Sequence, residues 1–511
     1  MTDPARLPRD DVPMKLRPAR RAHEGAEPAR RPRSAWLWIL SFRRQNHQEM
    51  ATGLSDRDAP ERLISELYTT AVEQLSSDKA PVRFGGLCAL ERLAQDNPSH
   101  RQTAVNVICA YLRMPFSPTA PATQPELEAA EGQNEPGTGS DTEADGMGDT
   151  WQQERQVRLT AQRILAEHLR DDGVEDQQSA DPPSSRFWDS IRVDLAGATL
   201  IDFNLVNGVM ADANFQRAAF SGDASFTGAA FGGAARFGGA IFGGAARFGG
   251  TIFGGAARFA GATFRGNASF RGTAFRGDAS FPEAAFQGDA LFGEATFRRR
   301  ARFRSVAFDG VAGFGAATFG GAAGFRNATF DGDAGFGEAV FGGDAGFDKA
   351  VFGGGASFDK ATFINDAWFG EAVFGGNAGF DKATFRRGAL FDKATFTGDA
   401  WFGEAAFTGA AKFGEAVFGG DAGFDKATFR RGALFDEAAF TGDAWFGEAA
   451  FRGTVWFGEA TFSGGAGALH LEQARILSPG ASHMWPTGWR LADADGGGYA
   501  VIRANDDDGG S

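Results

Sequence analysis

Cysteine is almost absent: Cys88 and Cys109 are the only 2 in 511 residues, too few for a disulfide framework and without a cluster of metal-ligating neighbours. They read as buried thiols in a helical segment. The 6 histidines are scattered, so neither a zinc site nor a cofactor is expected. No Ser-His-acid constellation, phosphate-cradling Gly loop with its Lys, or His-rich metal motif occurs, so no catalytic residue is expected. Long apolar runs are missing too. The nearest, "AWLWILSF" at 35–42, lies between arginines and is too short to cross a bilayer, which needs about 20 apolar residues. Membrane contact, if any, would insert Trp36 and Trp38 into an anionic interface. Tyrosine is scarce: 3 Tyr stand beside 51 Phe and 72 Gly, so one aromatic residue is chosen for shape and oiliness, not hydrogen bonding.

The formal net charge of -14 argues against direct nucleic-acid binding by the whole chain, since a phosphate backbone demands concentrated Lys and Arg. Residues 1–50 nonetheless carry 11 basic against 6 acidic side chains, whereas 115–150 holds 8 acidic and no basic ones. From these shifts four regions are expected. Residues 1–59 form a disordered basic arm containing the apolar stretch 35–42. A small helical domain spans 60–171, interrupted by an acidic linker at 115–150. A repeat region covers 187–462, and 463–511 forms a capping segment with an acidic tail. The helices are read from apolar spacing: Leu63, Leu67, Ala71 and Leu75; Val82, Leu87, Leu90 and Leu93; Val105, Ile108 and Leu112; and, over 151–171, Val157, Ala161, Ile164 and Leu165.

The repeat region dominates. Leu195, Leu200, Leu205, Met210, Phe215 and Phe220 recur every five residues; afterwards the spacing alternates six and five through Phe462, with 45 Phe between 220 and 462. An 11-residue period is also a mark of right-handed coiled coils, but a Gly in nearly every interval costs about 1 kcal/mol apiece inside a helix and defeats that reading. In each "A-x-F" unit the period of two puts Ala and Phe on one face and the middle residue on the other. The two- and three-residue intervals turn corners. Four such sides make a coil of about 22 residues that can bury its interior only by stacking on others at about 4.8 Å. The stacking period is visible directly: residues 377–407 match 421–451, 44 positions on, at 28 of 31 places, and no inward Phe or Ala differs.

This pattern, with "ATL" at 198–200, "ANF" at 213–215 and "ATF" at 427–429, resembles the pentapeptide-repeat family. The resemblance implies a mostly β fold, a right-handed quadrilateral β-helix, over 193–462, preceded here by a small α-helical domain. The extra residue in alternate corners departs from the simplest family pattern. The stretch 68–98 is similar to the helical region before the repeats in many actinobacterial members, and "MWPTGW" at 484–489 to an element that follows them. Physically, Trp485, Pro486 and Trp489 suit a lid over the end of the stack.

The expected function is a non-catalytic scaffold or protein-protein interaction module built on a rigid solenoid, with an unidentified protein partner and with self-association through the solenoid ends. The location expected is cytoplasmic or peripheral at the inner face of the cell membrane. Two alternatives remain: a DNA mimic binding an enzyme such as gyrase, which the resemblance brings with it, and a membrane-associated scaffold. The charge divides along the chain, with 12 basic and 6 acidic side chains over 221–330 and 11 and 20 over 331–460. The outward tryptophans Trp368, Trp401, Trp445 and Trp456 are the candidate interaction surface, because exposed Trp is typical of binding hot spots. By spacing, Trp401 and Trp445 share one side and Trp368 and Trp456 the opposite one. An outward threonine array on Thr296, Thr318, Thr362, Thr384 and Thr428 is interrupted at Ala406 and does not favour ice binding.

Overall fold

The computed structural model describes residues 58–117, 141–171, 186–463, 468–471, 473–478, 480–494 and 498–503. The expected basic arm through residue 57, with Trp36 and Trp38, lies outside them, as do 118–140 of the acidic stretch and the tail from 504.

Helices α1 (Asp58–Leu75), α2 (Ala80–Asp96), α3 (Arg101–Leu112) and α4 (Asp141–Leu169) precede the repeats. Pro81 sits in the first turn of α2, where its missing N–H is no loss, and Pro98 follows its end. The apolar stripes of α2, α3 and α4 meet: Leu87, Leu90, Val105, Ile108, Leu112, Val157, Ala161, Ile164 and Leu165 are all buried. Two expectations need correction. In α1 only Ala71 and Leu75 are buried, while Leu63 and Leu67 are 57% and 52% exposed, and Val82 of α2 is exposed as well. The stripe was read correctly as helical, but periodicity specifies a face and not a partner. Helix α4 begins at Asp141, ten residues before Trp151, where a start was expected.

From Arg192 onward the chain winds into a parallel β-solenoid. Each coil has four sides, exemplified by Ala235–Arg236, Ile241–Phe242, Ala246–Arg247 and Ile252–Phe253, called here the first to fourth. The first side stacks into a sheet of 13 strands ending at Val455–Trp456, which sets the coil number. At about 4.8 Å per coil the stack is about 60 Å long. The second and third sides merge into one 24-stranded sheet because Ala219–Ser225 runs through their corner and pairs with the next coil on both sides. Register follows the sequence spacing. Val193 faces Ala213, an advance of 20, and Ala213 faces Ala235, an advance of 22 that persists along the first side to Val455.

Inside, Ala and Phe columns are sealed, and every Phe of the repeat from 220 to 457 is at most 2% exposed. Successive coils place like rings in parallel stacks, as in Phe242 and Phe264 (4.7 Å, 1°), while neighbouring columns meet edge to face, as in Phe237 and Phe248 (5.5 Å, 88°). Both geometries suit the aromatic quadrupole, and burial of each ring contributes about 2–3 kcal/mol. The two-residue corners are four-residue turns: Ala240 N donates to Phe237 O at 3.0 Å with Gly239 at φ 64°. From Glu283 to Glu459 that left-handed position recurs every 11 residues without a single glycine.

Both ends are covered. At the start, Gln102 of α3 and Gln162 of α4 imitate a missing coil. The Gln162 amide donates to Ile201 O at 2.7 Å and accepts from Ile201 N at 2.8 Å; Gln102 makes the same pair of bonds with Arg192. At the finish, Trp485 lies against Phe451 and Phe457, with centroids 6.4 and 6.2 Å away. Trp489 belongs instead to an antiparallel hairpin, Trp489–Ala494 with Gly498–Arg503, that extends the fourth side. Its ring carries the Arg503 guanidinium at 5.4 Å.

Candidate interaction surfaces

The outward slot of each A-x-F unit and the corners between units make up the whole exterior, so any site must be assembled from those columns. On the first side Trp368 is 46% exposed, between Gly346 and Leu390 of the adjacent coils. Trp456 stands on the same side, half-buried beside Met484. Trp401 and Trp445 share the third side, two coils apart, with Gly423 between them. Trp401 lies over that glycine: a Cβ at 423 would come within 2.5 Å of its ring. Trp445 stacks on His470 at 3.7 Å. The four side chains thus fall on two sides, and only Trp368 and Trp445 are exposed.

Through the repeats the outward slots of the second and fourth sides carry no charge, and Arg475 is the first charged residue to extend the fourth. From Thr199 through Val351, Val373 and Val417 to Thr461, and from Val209 to Ala450, every outward residue is Thr, Val, Ile or Ala. Flat β-branched surfaces are what sheet propensity favours.

Apart from Arg236, Arg247, Arg258, Arg302 and Lys412 on the first and third sides, charge in the repeats after Phe220 lies in the corners and is sorted there. In the two-residue corners Lys and Glu alternate up the stack: Lys360 with Glu338 (3.2 Å), Lys382 with Glu404 (3.5 Å) and Lys426 with Glu448 (3.8 Å) on one edge, Lys349 with Glu371 (3.2 Å) and Lys393 with Glu415 (3.3 Å) on the other. Exposed pairs of this kind are worth about 0.2–1 kcal/mol each at most.

The three-residue corners differ from one another. Between the fourth and first sides stand Arg276, Arg298, Arg299, Arg300, Arg386, Arg387, Arg430, Arg431 and Arg452, all exposed and, among the described residues, none in an ion pair, against three acids, Asp278, Asp344 and Asp366. Between the second and third sides stand Asp223, Asp289, Asp309, Asp331, Asp333, Asp399, Asp421 and Asp443, against a single base, Arg265. There the carboxylates build a ladder: Asp421 N donates to Asp399 Oδ1 at 3.1 Å and Asp443 N to Asp421 Oδ1 at 3.0 Å. Alternate corners of a four-sided coil are diagonally opposed, so a basic ridge and an acidic ridge run along opposite edges. A division of charge along the chain was expected; the division around the coil was not, although summing charge at intervals of 22 residues would have disclosed it.

Perturbed groups are few. Burial raises the Asp348, Asp381 and Asp392 carboxyls, each of which has its neighbours in the two-residue corners. Burial also pushes the Cys109 thiol up to about 12, an inert state. The densest polar cluster, in the helical domain, is structural. Glu154 accepts from Tyr111 and Arg158 and pairs with Arg83, while Arg158 donates to Leu112 O and Met114 O at the end of α3. A groove of about 330 Å³ where α3 meets the first coils is lined by Gln102, Asn106, Arg192, Asp194, Asp212 and Asn214. Among the described residues no group of His, Cys, Asp and Glu is arranged to hold a metal, and no helix is long and apolar enough to cross a membrane.

Neither a curated protein nor a solved structure matches the chain. The sequence profile described as pentapeptide repeats (9 copies) matches it in overlapping segments from 209–252 to 424–467. Together these segments span 259 of 511 residues, the solenoid from its second coil to its last, and on that extent the chain belongs to the pentapeptide-repeat family.

Proposed function

We propose that the protein is a non-catalytic scaffold, a rigid rod that holds partner proteins on its outer sides. The observation that carries this reading is the continuous sealing of the Ala and Phe columns. It leaves no interior chemistry and places every recognisable group on a straight, repeating exterior. Partner binding is centred on Trp368, whose neighbour Leu390 extends the apolar surface. Trp445 is a lesser anchor, since His470 already covers one ring face.

The test is affinity recovery from a lysate with the full chain and with Trp368→Ser, followed by mass spectrometry of soluble and membrane fractions. Loss of a specific protein with the variant, its far-ultraviolet spectrum unchanged, is expected. Identical recovery by both would remove this surface.

The DNA-mimic reading draws on one observation, the carboxylate ladder from Asp399 to Asp443. The Lys rungs on two other edges and the arginines opposite place it second. Recovery of a gyrase subunit that depends on those aspartates would reverse this order. A membrane-associated scaffold rests on residues 35–42 alone, and appearance of the protein in membrane fractions only when they are present would support it.

A further inference from the structure

The two charged ridges have the same repeat and lie on diagonally opposed edges of one rod. Over 221–460 the rod is near neutral, with 23 basic and 26 acidic side chains, so bulk repulsion between rods is small. The ridges are therefore the strongest electrostatic feature that one copy presents to another.

Their levels also agree. The chain climbs about 4.8 Å per coil, so corners 11 residues apart differ in height by about 2.4 Å. If a second rod lies beside the first, parallel and unshifted, Arg298–Arg300 stand half a coil from Asp289 and Asp309. Arg386 and Arg387 stand half a coil from Asp399, Arg430 and Arg431 between Asp421 and Asp443, and Arg452 half a coil from Asp443. Asp223, Asp331 and Asp333 meet corners without a base, and Asp344 puts a like charge opposite Asp331 and Asp333.

The residue types fit such a contact. The internal pairs of the two-residue corners are mostly made by Lys, whereas every base on the unpaired ridge is Arg, whose planar fork grips carboxylates in two places. On the acidic ridge one carboxylate oxygen of Asp399 and of Asp421 accepts a backbone N–H, which holds the group in place.

We propose that the protein associates with further copies of itself side by side, the arginine ridge of one rod against the aspartate ridge of the next. A two-fold axis would set a ridge against its own like charge and is disfavoured. The contact is heterologous and leaves a free ridge at each side, so it propagates into rows of parallel rods. The inference does not depend on Trp368 or on any other partner.

The experiment uses the full chain in sedimentation velocity at about 50 mM and about 500 mM salt, where screening of exposed charges differs strongly. The average mass is expected to rise at least about twofold at the lower salt and to grow with protein concentration. R386E/R387E/R430E/R431E has two acidic edges and remains monomeric. D399N/D421N/D443N also remains monomeric; Asn keeps the backbone acceptor, as Asn377 does in the same column, so the coil is undisturbed. Mixed together, the two variants form a one-to-one pair and stop there, because only one complementary contact is left.

Far-ultraviolet spectra matching the parent establish that both variants are folded. Monomers of the parent at low salt, association indifferent to salt, or a mixture that does not pair would each overturn the proposal. So would a parent that stays monomeric while binding a DNA duplex through the same arginines.

Discussion

The two-residue corners require a residue at φ near +60°, and the chain solves this in two ways. Gly250 and Gly272 hold the position early in one corner column, and Glu294, Ala316, Glu338 and Lys360 hold it later. A left-handed conformation costs a residue with a Cβ about 1–2 kcal/mol, while glycine loses about 0.4–1 kcal/mol more backbone entropy on folding. The difference predicts that Ala316→Gly stabilises its turn by about 0.5–1 kcal/mol. Gly272→Ala, two coils earlier in the same column, should destabilise by the same amount: a Cβ there meets nothing within 4 Å, so only the backbone term acts. Lys382→Gly gains the same backbone term but forfeits its ion pair with Glu404 and should be close to neutral.

Because coils in long repeat arrays can open independently, the assay is local hydrogen exchange, not a global midpoint. The reporters are Ala317 N, bonded to Phe314 O, and Thr273 N, bonded to Phe270 O. Exchange should slow about two- to fivefold at Ala317 in Ala316→Gly and quicken similarly at Thr273 in Gly272→Ala. Shifts of the same sign in both variants would refute the reasoning, since one backbone term cannot act in both directions.

Further expectations concern the core, the cap and pH. Phe336→Ala removes a ring stacked between Phe314 and Phe358 and should cost about 3–5 kcal/mol, measured by denaturant unfolding; a cost below about 1 kcal/mol would mean the columns slide to close the gap. Gln162→Ala strands the amide and carbonyl of Ile201 and should cost about 1–3 kcal/mol, read as faster exchange over 199–204; unchanged exchange there would deny the amide its capping role. Asp392 has a carboxyl raised by burial, so the folded state holds its proton more tightly than the unfolded one and stability rises as pH falls through the raised value. Asp392→Asn, which keeps an acceptor for Gly414 N, should therefore be more stable than the parent near neutral pH and equal to it below about pH 4; an advantage independent of pH would point to another cause.

What could be read without coordinates was whatever repeats. The inward assignment of Phe and Ala follows from a period of two inside each unit, and the partner of any residue follows from a step of 22, as when Phe253 pairs with Phe275. The pairing of Trp401 with Trp445 on one side came from the same step, but the sinking of Trp401 over Gly423 did not, because an outward position can still fold down where its neighbour lacks a side chain. Leu63 and Leu67 show the same limit for helices. Gln102 and Gln162 gave no signal at all: one glutamine on a helix looks like any solvated residue until a strand edge with unpaired backbone is set against it.

The charge pattern shows why a repeat protein must be read around its coil as well as along its chain. An aromatic interior imposes one identity on every inward position and so cannot distinguish one edge of the rod from another. The sides facing out from the second and fourth strands are uncharged, which leaves the corners as the places where the four edges can differ. There the chain has kept Lys with Glu on two edges, a majority of Arg on the third and a majority of Asp on the fourth. If charge served solubility alone, either sign would do in any corner, and the three-residue corners would carry the same mixture as the others. Scrambling Arg and Asp between those two corners, with composition and every inward residue retained, separates the possibilities. Solubility alone predicts a rod that behaves like the parent at every salt concentration, whereas an edge-to-edge function predicts equal stability with association lost.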